Sequence, residues 1–269
     1  MDRHNGARAF DRHRLQMKTV EMILGYPVTT KSKEACISNV VSWIENGKKG
    51  KYFVCANPNA LEVARTDPVF EAAMKSADLI TPDGVGIVLA SRILEGRIFD
   101  RVTGSDIFLG LSKPLNEMGR YSYFFLGSTT NNLASIRERM NRDFPNIRVV
   151  GTYSPPFKKD FSDEDNRLMV EEINRVKPDV LWVGMTAPKQ EKWIYRNKDE
   201  LDVKFIGAIG AVFDFYTGTI NRSRPWFQKH GLEWLPRLLK RPGRLWRRTL
   251  IRAPMFLVRI LMQRITMAE

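Results

Sequence analysis

Four loops carry the side chains whose types and spacing could do chemistry. In Ile80 to Val88 (ITPDGVGIV), Asp83 follows a short apolar run and precedes two glycines. A carboxylate held at a strand end, where glycines let a ligand come close, is what a general base needs, and such a base is worth on the order of 10² to 10⁴ in rate. The same residue could instead cap the following helix. Gly84-Val85-Gly86 resembles the start of a dinucleotide fingerprint, but the third glycine is missing and no acidic residue ends a following strand. In Cys55 to Asn59 (CANPN), Asn57 can hydrogen-bond a hydroxylated ligand or close an Asx turn on its own backbone. In Arg97 to Asp106 (RIFDRVTGSD), Arg101 is a candidate ligand contact or a partner for Asp100 or Asp106, while Thr103, Ser105 and Asp106 suit a helix cap. Gly184 to Trp193 (GMTAPKQEKW) presents Lys189, Gln190 and Glu191 at a helix start, with Pro188 at the first helical position.

These loops need a scaffold, and the apolar pattern supplies one. Residues 52–56, 79–81, 123–127, 147–151, 180–184 and 205–211 read as buried strands, and 33–46, 68–76, 131–141, 163–176 and 189–197 show helical spacing. Strands alternating with helices predict an α/β fold: a Rossmann-like, mostly parallel sheet covered by helices on both faces, with ligands at the strand ends. Ser162 and Asp165 (within DFSDED, 160–165) have capping-box spacing. The alternative, an acidic D-x-D of Asp163 and Asp165 holding a divalent metal, has no supporting cluster elsewhere, and His4 and His13 are a weak pair, so a metal-free mechanism is expected.

The charge is uneven. Residues 222–269 hold twelve Lys/Arg against two acids, +10 of the chain's formal +13, together with an apolar complement that includes Trp246, Leu250, Phe256, Ile260 and Leu261. A basic amphipathic segment of this kind predicts a helical appendage on an anionic membrane surface. Clustered Arg with Trp also fits a nucleic-acid surface, but the density of Leu, Ile, Met and Phe disfavours that reading and no nucleic-acid partner is expected. The longest apolar run, 253–262, is too short to span a bilayer and is interrupted by Arg259. Two cysteines, and no cleavable signal pattern, predict a cytoplasmic protein without disulfides. The division expected is a leader at 1–18, an α/β core at 19–221 and the appendage at 222–269.

ITPDGVG, RVTGSD, FFLGS (124–128), APKQEKW and GAVFDFYTGTINRSRPWFQKHGLEWLPRL running into RPGRLWRR, in this order, resemble the WecG/TagA/CpsF family of bacterial glycosyltransferases. The resemblance covers about 52–248. It implies an inverting, metal-independent and cofactor-free enzyme, peripheral on the inner face of the plasma membrane. Such an enzyme moves a sugar from a UDP-sugar to an undecaprenyl-diphosphate-linked saccharide in cell-surface polysaccharide or teichoic acid synthesis. N-acetylmannosamine is the expected sugar and a hexose such as glucose the alternative; homo-oligomerisation is left open. By position, Asp83 matches the general base, Asn57, Arg101 and Gln190 the sugar pocket, and Arg237, Arg244 and Arg247 the appendage arginines near the diphosphate. Asp214, within Phe213-Asp214-Phe215-Tyr216, is a candidate nucleotide contact, with the aromatic residues either stacking on the nucleotide or filling core. Cys55 departs from the usual threonine, and Met185-Thr186-Ala187 from the usual wording before the Lys-Gln pair.

Overall fold

The computed structural model describes residues 19–220, positions 227, 235 and 243, and 246–267. The expected leader, with His4 and His13, and most of the first half of the appendage, with Arg237 and Arg244, lie outside the described residues.

Six parallel strands form the central sheet in the order β4-β3-β8-β7-β5-β6: β3 (Lys51–Ala56), β4 (Leu79–Pro82), β5 (Ser122–Gly127), β6 (Arg148–Tyr153), β7 (Val180–Gly184) and β8 (Phe205–Ala208). All but β6, an edge strand with no buried residue, are short runs of largely buried residues, as a sheet covered on both sides requires. Successive side chains alternate between two cores. Tyr52, Val54 and Ala56 join Ile80, Leu181, Val183 and Ile206 on one face, whereas Phe53 joins Tyr123, Phe125, Trp182 and Phe205 on the other.

The helices are α1 (Lys33–Glu45), α2 (Pro58–Ala64), α3 (Pro68–Lys75), α4 (Val85–Ile93), α5 (Gly104–Met118), α6 (Thr130–Asp143), α7 (Asp163–Val176), α8 (Lys189–Asn197), α9 (Val212–Thr217) and, after a π-helical turn at Arg247–Arg252, α10 (Ala253–Thr266). Residues of α2, α3, α4, α7, α8 and α10 enter the first core, and those of α1, α5, α6 and α9 the second.

Several starts follow side-chain chemistry visible in the text. Ser162 and Asp165 form the expected capping box of α7, and Thr103 and Asp106 form one for α5. Asp165 is also paired with Lys158 at 2.8 Å, and that contact, with the Ser162 bonds, holds its carboxyl down at about 2. Pro188 takes the N-cap of α8, one residue earlier than expected, with Lys189 opening the helix.

Two features go beyond the sequence reading. An antiparallel hairpin, β1 (Val20–Ile23) and β2 (Tyr26–Thr29), precedes the sheet, and its turn places both Leu24 and Gly25 at positive φ. The C-terminal helix α10 packs one side on the body. Phe256 and Ile260 are fully buried in the first core against α2 and α4, Gln263 donates to the Met22 carbonyl at 2.8 Å and accepts from the Leu24 N–H at 2.9 Å, and Arg259 pairs with buried Glu62 at 3.1 Å. Arg252 donates to Asn59 at 2.9 Å, and Arg264 pairs with Glu95. Its other side presents Met255, Val258, Leu261, Met262 and Ile265 to solvent. No helix among the described residues is long and apolar enough to cross a membrane.

Candidate active site

The site is built where the carboxyl ends of β3, β4, β7 and β8 lie side by side, since a parallel sheet sends all of its following loops out at one edge. Asn57 leaves β3 and caps α2, its side-chain oxygen accepting the Ala60 N–H at 3.0 Å. The Asx-type role is therefore realised, and it fixes the direction of the Asn57 amide.

Asp83 leaves β4. Its N–H donates to the Ala56 carbonyl at 2.7 Å, which ties the β4 end to the β3 end. The N-cap of α4 is Gly84, which has no side chain to cap with, and Asp83 stands one residue before it. The two flanking glycines have separate reasons. Gly84 sits at φ +98, with open space where a Cβ would be; at Gly86 a Cβ would come within 2.4 Å of the Pro58 side chain, so that glycine lets α4 close on the start of α2. Together they bring the Asn57 and Asp83 loops into one corner.

Cys55 lies in the same corner. Thr81 donates to its sulfur at 3.6 Å, and burial, then the Asp83 charge, hold its thiol well above the usual range, so it stays neutral. The hydroxyl that a threonine would place here is replaced by a weakly polar sulfur that Thr81 engages. Arg101 is half-buried in the segment that returns to this edge, where the Val102 N–H donates to the Pro82 carbonyl at 2.9 Å. Thr103 and Asp106 are occupied in their capping box.

The loops after β7 and β8 meet through Gln190. This residue is buried, and its side-chain oxygen accepts the N–H groups of Met185 at 3.2 Å and Gly210 at 3.0 Å. Its amide nitrogen donates to Glu191 at 2.8 Å. Gln190 thus braces the wall of the site. Glu191, which the sequence reading placed at the helix start without a role, is 4% exposed, and burial raises its carboxyl to about 7. Lys189 points away, its ammonium 3.6 Å from the centre of the Phe161 ring.

Asp214 stands apart from this corner. It accepts from Asn132 at 3.0 Å near the start of α6, past the end of β5, and burial raises its carboxyl. Phe213 and Tyr216 are core residues packed edge-on against Phe125 and Phe108, which settles the aromatic question against stacking on a ligand for these two. Arg247 is exposed on the π-helical turn, its guanidinium 5.3 Å from the Trp246 ring centre. The structure therefore gathers Asn57, Asp83 and Gln190 with the Arg101 loop and leaves Asp214 on a separate strand end. Among the described residues, no group of three or more His, Cys, Asp or Glu is arranged to hold a metal ion.

The model of the glycosyl transferase WecG/TagA/CpsF family matches residues 21–269. Curated relatives named N-acetylglucosaminyldiphosphoundecaprenol N-acetyl-beta-D-mannosaminyltransferase include one from Bacillus spizizenii, 32% identical over 214 residues (80% of this chain and 80% of the relative). Another from Bacillus subtilis is 28% identical over 220 residues (79% and 83%), and one from Staphylococcus aureus is 27% identical over 227 residues (83% and 87%). With a family match over almost the whole length and a strand-end corner built from the residues of the family's motifs, the chain belongs to the WecG/TagA/CpsF family and is a glycosyltransferase.

Proposed function

We propose that the protein transfers N-acetylmannosamine, with inversion, from UDP-N-acetylmannosamine to N-acetylglucosaminyl-diphospho-undecaprenol at the cytoplasmic face of the plasma membrane. The observation that carries this reading is the Asp83 corner: a carboxylate at a strand end, one residue before the α4 cap, beside Asn57 and the Arg101 loop. In the reaction Asp83 accepts the proton of the acceptor hydroxyl as its oxygen attacks the anomeric carbon, and the bond to UDP breaks on the opposite side. The developing diphosphate charge falls to arginines, Arg247 with Arg237 and Arg244, which can do electrostatically what a divalent metal does elsewhere. Asn57 and Arg101 contact the sugar, Gln190 holds the wall, and Asp214 meets the nucleotide from the β8 side. Metal independence is supported by the engagement of Asp165 with Ser162 and Lys158, which leaves the D-x-D without its second ligand.

Membrane attachment is supported by the outer side of α10, where Met255, Val258, Leu261, Met262 and Ile265 form an exposed apolar strip on a strongly basic segment. A hexose donor remains the second reading, motivated by Cys55, which stands where the family usually has a threonine. Transfer is tested with Asp83→Asn, assayed by UDP release from a panel of UDP-sugars on a short-chain lipid-diphosphate acceptor. The variant should fold and bind donor yet lose at least roughly 10² in kcat. Near-normal turnover would remove Asp83 from the mechanism, and the preferred donor separates the two sugar readings.

A further inference from the structure

Glu191 is a buried carboxyl group at the site that no step above uses. One of its oxygens accepts from the Gln190 amide nitrogen at 2.8 Å, whereas the other is out of contact with solvent and has no hydrogen-bond partner among the described residues. Gln190 has its own oxygen fully committed to two N–H groups, those of Met185 after β7 and Gly210 after β8. That commitment fixes which end of the amide faces Glu191, because a flipped amide would set its NH₂ against two N–H donors. We propose that Glu191 is a positioning residue of the transferase, acting as a neutral carboxyl group that fixes the Gln190 amide and so joins the β7 and β8 loops at the Cys55–Asp83 end of the sheet.

The physical reason lies in the orphaned oxygen. An ionised carboxylate would bury a charge with one hydrogen bond from Gln190 and one from its own backbone, too few to replace its hydration. Among the described residues no counter-charge shifts it. On β3 the Cys55 thiol feels the charges of both Glu191 and, beyond β4, Asp83. Strand β8 carries no titratable side chain. From α3 and its cap come Asp67, bonded to Lys192 of α8 at 2.9 Å, and Glu71, bonded to Lys75 at 2.6 Å. On α8 itself Lys189 faces Phe161. Burial accordingly raises the carboxyl to about 7. Ionisation above neutrality would leave an unsolvated charge on the brace beside Gln190.

This inference rests on the transferase reading, and its test separates the two. Glu191→Gln keeps an acceptor for the Gln190 amide and cannot ionise; Glu191→Leu keeps the volume and removes the acceptor. The sign follows from linkage: a carboxyl raised from 4.5 to about 7 on folding contributes stability that is complete below 4.5 and lost as pH rises to 7. Thermal unfolding of the wild type should therefore show a fall between pH 5 and 7.5 that Glu191→Gln lacks. In UDP-release assays Glu191→Gln should keep kcat within roughly threefold of wild type at pH 6.5 and lose the decline on the alkaline side, whereas Glu191→Leu should lose at least about tenfold in kcat with a smaller change in donor KM. Equal losses in Glu191→Gln and Glu191→Leu, or identical pH dependence of unfolding in wild type and Glu191→Gln, would overturn the proposal. If the wild type transfers no sugar at all, the function assigned above fails, and the unfolding difference still decides whether Glu191 is neutral in the fold.

Discussion

Replacing Phe256 by alanine tests whether α10 is part of the body or a surface element. Phe256 is fully buried against α2 and α4, and emptying such a site costs about 3–5 kcal/mol. The docking it supports is worth about 5–8 kcal/mol: two buried side chains, Phe256 and Ile260, at about 1.5–3 kcal/mol each, with the two Gln263 bonds adding about 1 kcal/mol each. Phe256→Ala therefore removes a large share of what holds the helix. In thermal unfolding, at about 2–4 °C per kcal/mol for a body of this size, the expected drop is about 10 °C. If the helix undocks before the sheet melts, the loss appears instead as protease cleavage near the π-helical turn, at 247–252. Val258→Ala is the internal control. Val258 is 50% exposed on the other side of the same helix, and its truncation should change stability by less than about 0.5 kcal/mol. Both variants should be followed by thermal scan and by trypsin time course. Phe256→Ala and Val258→Ala with the same unfolding temperature and the same cleavage pattern would refute the docked helix and restore the purely interfacial one.

Ser162→Ala breaks the α7 capping box and should cost about 1 kcal/mol in denaturant unfolding, without effect on transfer; loss of activity at normal stability would revive a ligand role for the 160–165 loop. Transfer should survive excess EDTA, and a strict requirement restored by titrating Mg²⁺ or Mn²⁺ would overturn the arginine-based mechanism. The full chain should sediment with anionic liposomes and be released in part as salt rises, with the apolar strip retaining the remainder. Val258→Asp with Leu261→Asp should remove that retained fraction, and unchanged retention would exclude this strip as the inserted surface.

Much of the scaffold is legible in the text because a covered parallel strand is a short apolar run. Residues 163–176, 180–184 and 189–197 have the bounds that the pattern predicts, and the others fall within a few residues. Strand β8 ends at Ala208, earlier than the apolar run suggests, because the chain turns at Gly210 with φ +50. The β1–β2 hairpin was not legible, since its turn, Leu24-Gly25, lacks the Asn-Gly or Asp-Gly signal and places a leucine at positive φ. Residues 58–64 were missed as a helix because one turn and a half of Pro-Asn-Ala-Leu-Glu-Val-Ala shows too few periods to declare itself.

Composition and motif order alone determined the α/β class, the loops that carry chemistry, the Ser162–Asp165 cap and the basic C-terminal segment, because each is written in residue type and local spacing. Tertiary structure decided which side chains share a corner. Asp83 and Asn57 meet because Gly86 lets α4 close on Pro58, whereas Asp214 is drawn away to Asn132. It also decided that Phe213 and Tyr216 are core, that Gln190 and Glu191 form a buried brace, and that α10 spends one face on the body and keeps the other for solvent. An amphipathic pattern states that a face will be buried; what buries it depends on contacts with residues such as Leu24 and Glu62, some two hundred positions away in the chain.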